Sequence, residues 1–258
     1  MANRRGTKVD VGRMTKAERK EEARRQRIEI ERRMARARRN RWIALGVAFV
    51  LAAGVAVFVV TRPKPASTSS SPADLLAASA NASKAAGCTP VRTIAPYQPV
   101  NDDRVHIGIG GTFASLPPLS TYRSIPPTSG PHNPTPLTQG ENSSPPPIDQ
   151  AIHSLEHGAT IVWYAPDVTG NELSRIETFY RRGSVGSRVI VAPYDYPDQG
   201  AAGSLPSGVE MALVSWHHLE TCARANLSAA FGFTARYAAP PFGQQKYLGD
   251  APEAGAAI

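Results

Sequence analysis

Nineteen consecutive residues without a charge or a proline, Trp42 to Val60 (WIALGVAFVLAAGVAVFVV), restrict the environments in which this chain can fold. At about 1.5 Å per residue a helix of that length reaches roughly 28 Å, close to the hydrocarbon thickness of a bilayer. A cleavable signal has an apolar stretch of only ~7–15 residues behind a short basic start. Here a charged segment of 41 residues comes first, so a retained transmembrane helix is expected. Arg32, Arg33, Arg36, Arg38, Arg39 and Arg41 on one flank outweigh Arg62 and Lys64 on the other. Positive charge stays on the cytoplasmic side, which predicts a single-pass cell-membrane protein with a cytoplasmic N-terminus and an extracytoplasmic C-terminal domain.

The formal charge of +8 is concentrated in that tail. Residues 1–41 carry 16 Lys/Arg against 6 Asp/Glu, leaving the remainder slightly acidic. The basic tail suits anionic lipid headgroups next to the bilayer, at around 1 kcal/mol per basic residue. A nucleic-acid partner is not expected, because no basic folded face or groove-reading motif follows the tail. Ala48, Ala52 and Ala56 recur every four residues and would let two membrane helices approach closely.

Residues 61–86 are rich in Pro, Ser and Ala and are expected to be a linker, with the globular domain spanning 87–258. Cys88 and Cys222 both fall in the exported part, where a disulfide is expected; two buried thiols are the alternative. The first part of the domain holds ten prolines between Pro117 and Pro147, so it reads as a loop wrapped over a core formed elsewhere. That core is a strand at 160–164, a helix at about 171–182, a strand at 188–193, a strand at 209–216 and a helix at about 218–231. The order β-α-β-β-α predicts a small α/β (α+β) sandwich. Its first two strands are expected to be parallel and its third antiparallel to the second. Val105 to Ile109 alternates and reads as a further edge strand.

Two segments carry chemistry. His153-Ser-Leu-Glu156-His157-Gly158 matches the His-x-x-Glu-His pattern of inverzincin proteases, but those need a sustained helix. Gly158, the β-branched run after it and Pro145 to Pro147 before it leave room for little more than one turn, so protease activity is not expected. Ile125-Pro-Pro-Thr-Ser-Gly-Pro-His132 is a rigid turn that presents a histidine. Three further patterns read as unremarkable: Gly108-Ile-Gly-Gly111 is too short for a phosphate loop, Trp163 and Trp216 are expected in packing, and the sequons at Asn81, Asn142 and Asn226 matter only where exported proteins are glycosylated.

Together Pro127-Thr-Ser-Gly-Pro-His132, His153-x-Leu-Glu-His157-Gly158, the strand ending Trp163-Tyr164-x-Pro166 and the strand Ala212 to Trp216 resemble the uncharacterised bacterial membrane proteins called domain of unknown function 3105. The resemblance implies which residues matter and carries no activity. It covers roughly residues 88–240, and His217-His218 stand where such proteins often have glycine after the tryptophan.

Three imidazoles and a carboxylate suit a transition metal such as Zn²⁺, Cu²⁺ or Fe²⁺, which makes His132, His153, His157 and Glu156 the expected ligands. Copper(I) is a poorer fit, since Met211 is the only methionine after the tail. Two other readings remain. The histidines would hold the proline-rich loop to the sheet in an interaction or scaffolding module that meets an envelope protein, with Glu156 pairing His157. Alternatively, Ser129 beside His132 and Glu156 would act as a nucleophile.

Overall fold

Residues 160–164 (TIVWY) are apolar or β-branched at every position, the composition of a strand covered on both faces. In the computed structural model, which describes residues 71–110, 112–181, 188–241 and 245–258 with a few isolated positions in the tail, they form the middle of a six-stranded sheet. The strands are β1 (Arg92–Thr93), β2 (Gly140–Glu141), β3 (Thr160–Tyr164), β4 (Val189–Pro193), β5 (Met211–Ser215) and β6 (His218–Cys222), in the spatial order β1-β6-β5-β3-β4-β2. The α-helices of the described part of the domain are α1 (Pro72–Ala85), α2 (Ile148–Glu156), α3 (Asn171–Arg181) and α4 (Leu227–Tyr237).

The two-residue period of the strands sorts the core into two layers. Val162, Tyr164, Val191, Met211 and Leu213 face α1, α3 and α4, while Ile161, Trp163, Ile190, Ala212 and Val214 face α2 and the proline-rich segment, which contributes Leu119 and Tyr122. A mixed α/β sheet is therefore present, and the proline-rich segment covers one face of it. β3 and β4 run parallel with α3 between them, Ile161 opposite Ile190.

Four expectations change. β5 pairs antiparallel with β3, Trp163 opposite Ala212, and not with β4, whose other edge is taken by β2. The link from β4 to β5 contains a 3-10 segment at Pro197–Gly203 and is too long to impose a hairpin. Residues 218–222 are strand β6 rather than helix, forming a tight hairpin with β5 around Trp216-His217. That turn lacks the Asn-Gly type of signal, and His217 itself takes the left-handed φ of 57°. The helix starts only at Leu227, where the Asn226 side chain accepts from Ala229 N. Residues 105–109 form no strand; a single bridge joins His106 to His132.

The fourth change concerns the segment read as linker. Its residues 72–85 form α1, opened by a capping box between Ser71 and Asp74. Alanine and leucine are strong helix formers, and the small residues serve close packing. Ser79 lies against Gly232 of α4, where an added Cβ would come within 2.4 Å of the Ser79 Cβ. The folded domain thus begins before residue 87. Cys88 and Cys222 are joined by a disulfide. Among the described residues no helix is long and apolar enough to cross a membrane; the run Trp42 to Val60, the expected anchor, lies outside them, as does almost all of the basic tail.

Candidate metal centre

Ile148, Ile152 and Leu155 recur at helical spacing and bury one face of α2 against the sheet. Burying side chains of that size contributes roughly 1.5–3 kcal/mol each. Pro147 precedes the helix, and Gly158, with φ 86°, ends it after nine residues. This short helix carries His153 and Glu156, with His157 at its C-cap. His132 arrives from the proline-rich turn, where Gly130 takes φ 124° beneath Tyr122. His106 arrives through backbone bonds: Ile107 N donates to His132 O at 2.7 Å and His132 N to Val105 O at 3.0 Å.

These elements bring His106, His132, His153 and Glu156 together so that one ligand atom from each lies within 4.8 Å of all the others. His132, His153 and Glu156 are buried and His106 is partly exposed. His132 Nε2 and Glu156 Oε2 are 2.9 Å apart, at ion-pair distance. Both atoms, and His106 Nε2, are buried without a hydrogen-bond partner. Unpaired buried polar atoms cost about 1–3 kcal/mol each, so three facing one point call for something between them.

The other ring nitrogens explain which atoms are free. His132 Nδ1 lies 2.7 Å from Gly130 O, His153 Nδ1 2.5 Å from Asn133 O and His157 Nδ1 2.6 Å from Ala257 O. A carbonyl only accepts, so each Nδ1 carries the proton and each Nε2 of a neutral ring is left as a lone pair. This is the arrangement that outer partners impose on metal-binding imidazoles. His153 Nε2 and His157 Nε2 are only 2.8 Å apart.

Charge favours the same chemistry. Burial would raise the Glu156 carboxyl, but His132 and the Arg104 guanidinium more than offset it and hold it at about 2. Arg104 Nε donates to Glu156 Oε1 at 2.5 Å, and its Nη2 donates to Glu253 Oε1 at 2.7 Å. Burial pushes His153 down to about 4 and lowers His106 as well. His106 and His153, lowered towards the neutral form, beside an ionised Glu156 have the protonation state a cation requires.

Of the residues expected from the sequence, His132, His153 and Glu156 meet at this centre, and His157 stands beside His153. Glu156 contacts His132 and Arg104 rather than pairing with His157. The helix runs nine residues, about two and a half turns and longer than the single turn expected, but the Glu156 carboxylate is engaged by Arg104 and His132. Ser129 does not join the centre either: its Oγ donates to Asp103 Oδ1 at 2.6 Å, and His217 Nε2 lies 2.8 Å from the other carboxylate oxygen. His106, Arg104 and Glu253 were not singled out in the sequence. The alternation around His106 was its one local signal, and it read as an edge strand.

No curated protein and no solved structure matches the chain. A family profile described as "Protein of unknown function (DUF3105)" matches residues 119–251, which include His132, His153, Glu156 and His157. With more than half of its length covered by that match, the chain belongs to the DUF3105 family.

Proposed function

We propose that this protein is a membrane-anchored, extracytoplasmic metal-binding protein, holding Zn²⁺ or Cu²⁺ at His106, His132 and Glu156, with His153 within reach as a fourth ligand. The observation that carries this reading is the convergence of the buried, unpaired His106 Nε2, His132 Nε2 and Glu156 Oε2, with the Nδ1 atoms of His132 and of neighbouring His153 held by main-chain carbonyls. Three nitrogens and one carboxylate oxygen suit either ion, and the absence of thioether donors disfavours copper(I). The apolar run Trp42 to Val60 is the anchor in this reading and the basic tail meets anionic lipid.

Full-length protein purified in detergent should retain a transition metal by elemental analysis, and a chelator should lower its melting temperature. His106→Ala should weaken binding at least tenfold while leaving the apoprotein fold intact, because the ring is partly exposed. A scaffolding module with purely structural histidines would show no bound metal and no chelator effect. Protease added to intact cells should remove the domain and spare the tail; a protected domain would overturn the anchored topology.

A further inference from the structure

Arg104 divides the ligands of this corner into two sets of the same make-up. Its Nε takes Oε1 of Glu156 and its Nη2 takes Oε1 of Glu253. In each carboxylate Oε2 is left turned towards imidazoles. Glu156 Oε2 lies 2.9 Å from His132 Nε2 and 3.9 Å from His106 Nε2. Glu253 Oε2 lies 3.4 Å from His157 Nε2, which is itself 2.8 Å from His153 Nε2. Each set therefore holds two histidines and one glutamate, the second joined through His157, which lies near both His153 Nε2 and Glu253 Oε2.

The backbone of the second set is held in place even though the Glu253 side chain is exposed. Glu253 N donates to Glu156 O at 3.1 Å and Gly255 N to His157 O at 3.2 Å. Arg188 donates to Ala256 O at 2.6 Å and to Gly255 O at 2.8 Å. Residues 253–257 thus lie as a strap over the end of α2, with His157 Nδ1 bonded to Ala257 O. With each Nδ1 facing a carbonyl, the 2.8 Å approach of His153 Nε2 and His157 Nε2 is satisfied either by one proton shared within the pair or by a metal ion between the two nitrogens. Two metal–nitrogen bonds of about 2.0–2.1 Å at a right angle place their nitrogens about 2.9 Å apart, and at the tetrahedral angle about 3.3 Å.

We propose that the corner binds two divalent transition-metal ions, one on His106, His132 and Glu156 and the other on His153, His157 and Glu253, with Arg104 as the residue that positions both carboxylates. This rests on the reading of the corner as a metal centre and extends it: His153 completes the first position when one ion is bound and turns to the second when both are. Two carboxylates and one guanidinium leave excess positive charge beside two such ions. A solvent-derived anionic ligand such as hydroxide then accompanies the pair, as in two-metal sites with ions about 3.5–4 Å apart.

The test is stoichiometry on the full-length protein in detergent, loaded with Zn²⁺ and dialysed, and again with Cu²⁺ for electron paramagnetic resonance. Wild type should hold two ions per chain, and its copper form should show a spin-coupled spectrum. Glu253→Gln, at an exposed position, should hold one ion, give the spectrum of isolated copper and melt as the wild-type apoprotein does. One ion in the wild type, unchanged by Glu253→Gln, would remove the second position and leave the single-ion centre standing. Two ions in both proteins would overturn the role of Glu253. No ion in either would overturn both readings.

Discussion

Asp103 Oδ2 lies 2.8 Å from His217 Nε2, joining the loop that carries Arg104 and His106 to the turn between β5 and β6. Burial opposes charge on both partners, yet their mutual bond raises His217 and, with Ser129 and the Tyr97 amide, lowers Asp103; Asp250 is the other acid facing His217. Asp103 contributes stability above its ordinary value of 3.8, lost as pH falls through its lowered folded value. His217 contributes below its ordinary 6.5, lost as pH rises through its raised folded value. The charged pair is therefore fully effective between 3.8 and 6.5. His217→Ala should cost about 1.5–3 kcal/mol in urea unfolding at pH 5.5 and clearly less at pH 9. An equal cost at both would exclude the charged pair.

Glu220, on the opposite face of the sheet, behaves in the reverse sense. Burial lifts its carboxyl from 4.5 to about 7, against the smaller pull of Ser83 and Arg236. The folded state holds the proton more tightly, so stability is complete below 4.5 and declines as pH rises through about 7. Glu220→Gln should be close to neutral at pH 4 and stabilise the domain by about 3 kcal/mol at pH 8. Thermal melts across that range decide it, and a pH-independent difference would refute the buried-acid account.

Gly130 and Gly108 offer a paired test of the turn that presents His132. Both have positive φ, but a Cβ on Gly130 would sit 2.7 Å from a Tyr122 ring carbon, while nothing lies within 4 Å of one on Gly108. Gly130→Ala adds overpacking to backbone strain and should cost about 2–5 kcal/mol, whereas Gly108→Ala should cost about 1 kcal/mol. Because Gly130 O receives the His132 Nδ1 proton, the first substitution should also weaken metal binding. Similar unfolding midpoints for the two variants would contradict this.

The Cys88–Cys222 disulfide closes a loop spanning 134 residues and ties the end of α1 to β6. In the chain-entropy description a loop of that length stabilises by about 5 kcal/mol. Denaturant unfolding with and without reductant should differ by several kcal/mol, and coincident curves would show that the bond is not formed in the purified protein.

Local pattern was enough to read β3, α3 and β4, because a continuous apolar run and an i, i+4 stripe are imposed by the two faces each element buries. It was also enough to single out His132, His153 and Glu156, which sit in short rigid segments bounded by proline and glycine. It misread residues 72–85, whose small side chains resemble a linker until Gly232 shows what they pack against. It misread residues 218–222 as well, where pairing with β5 outweighs local preference. The completion of the centre lay beyond any local pattern. His106 reaches it through two main-chain bonds to a segment 26 residues away, Glu253 through a strap pinned by Arg188, and Arg104 by spanning two carboxylates 97 residues apart in the chain. None of the three carries a periodic or motif signal of its own, since a ligand's position depends on which distant backbone groups find each other once the proline-rich segment is laid on the sheet.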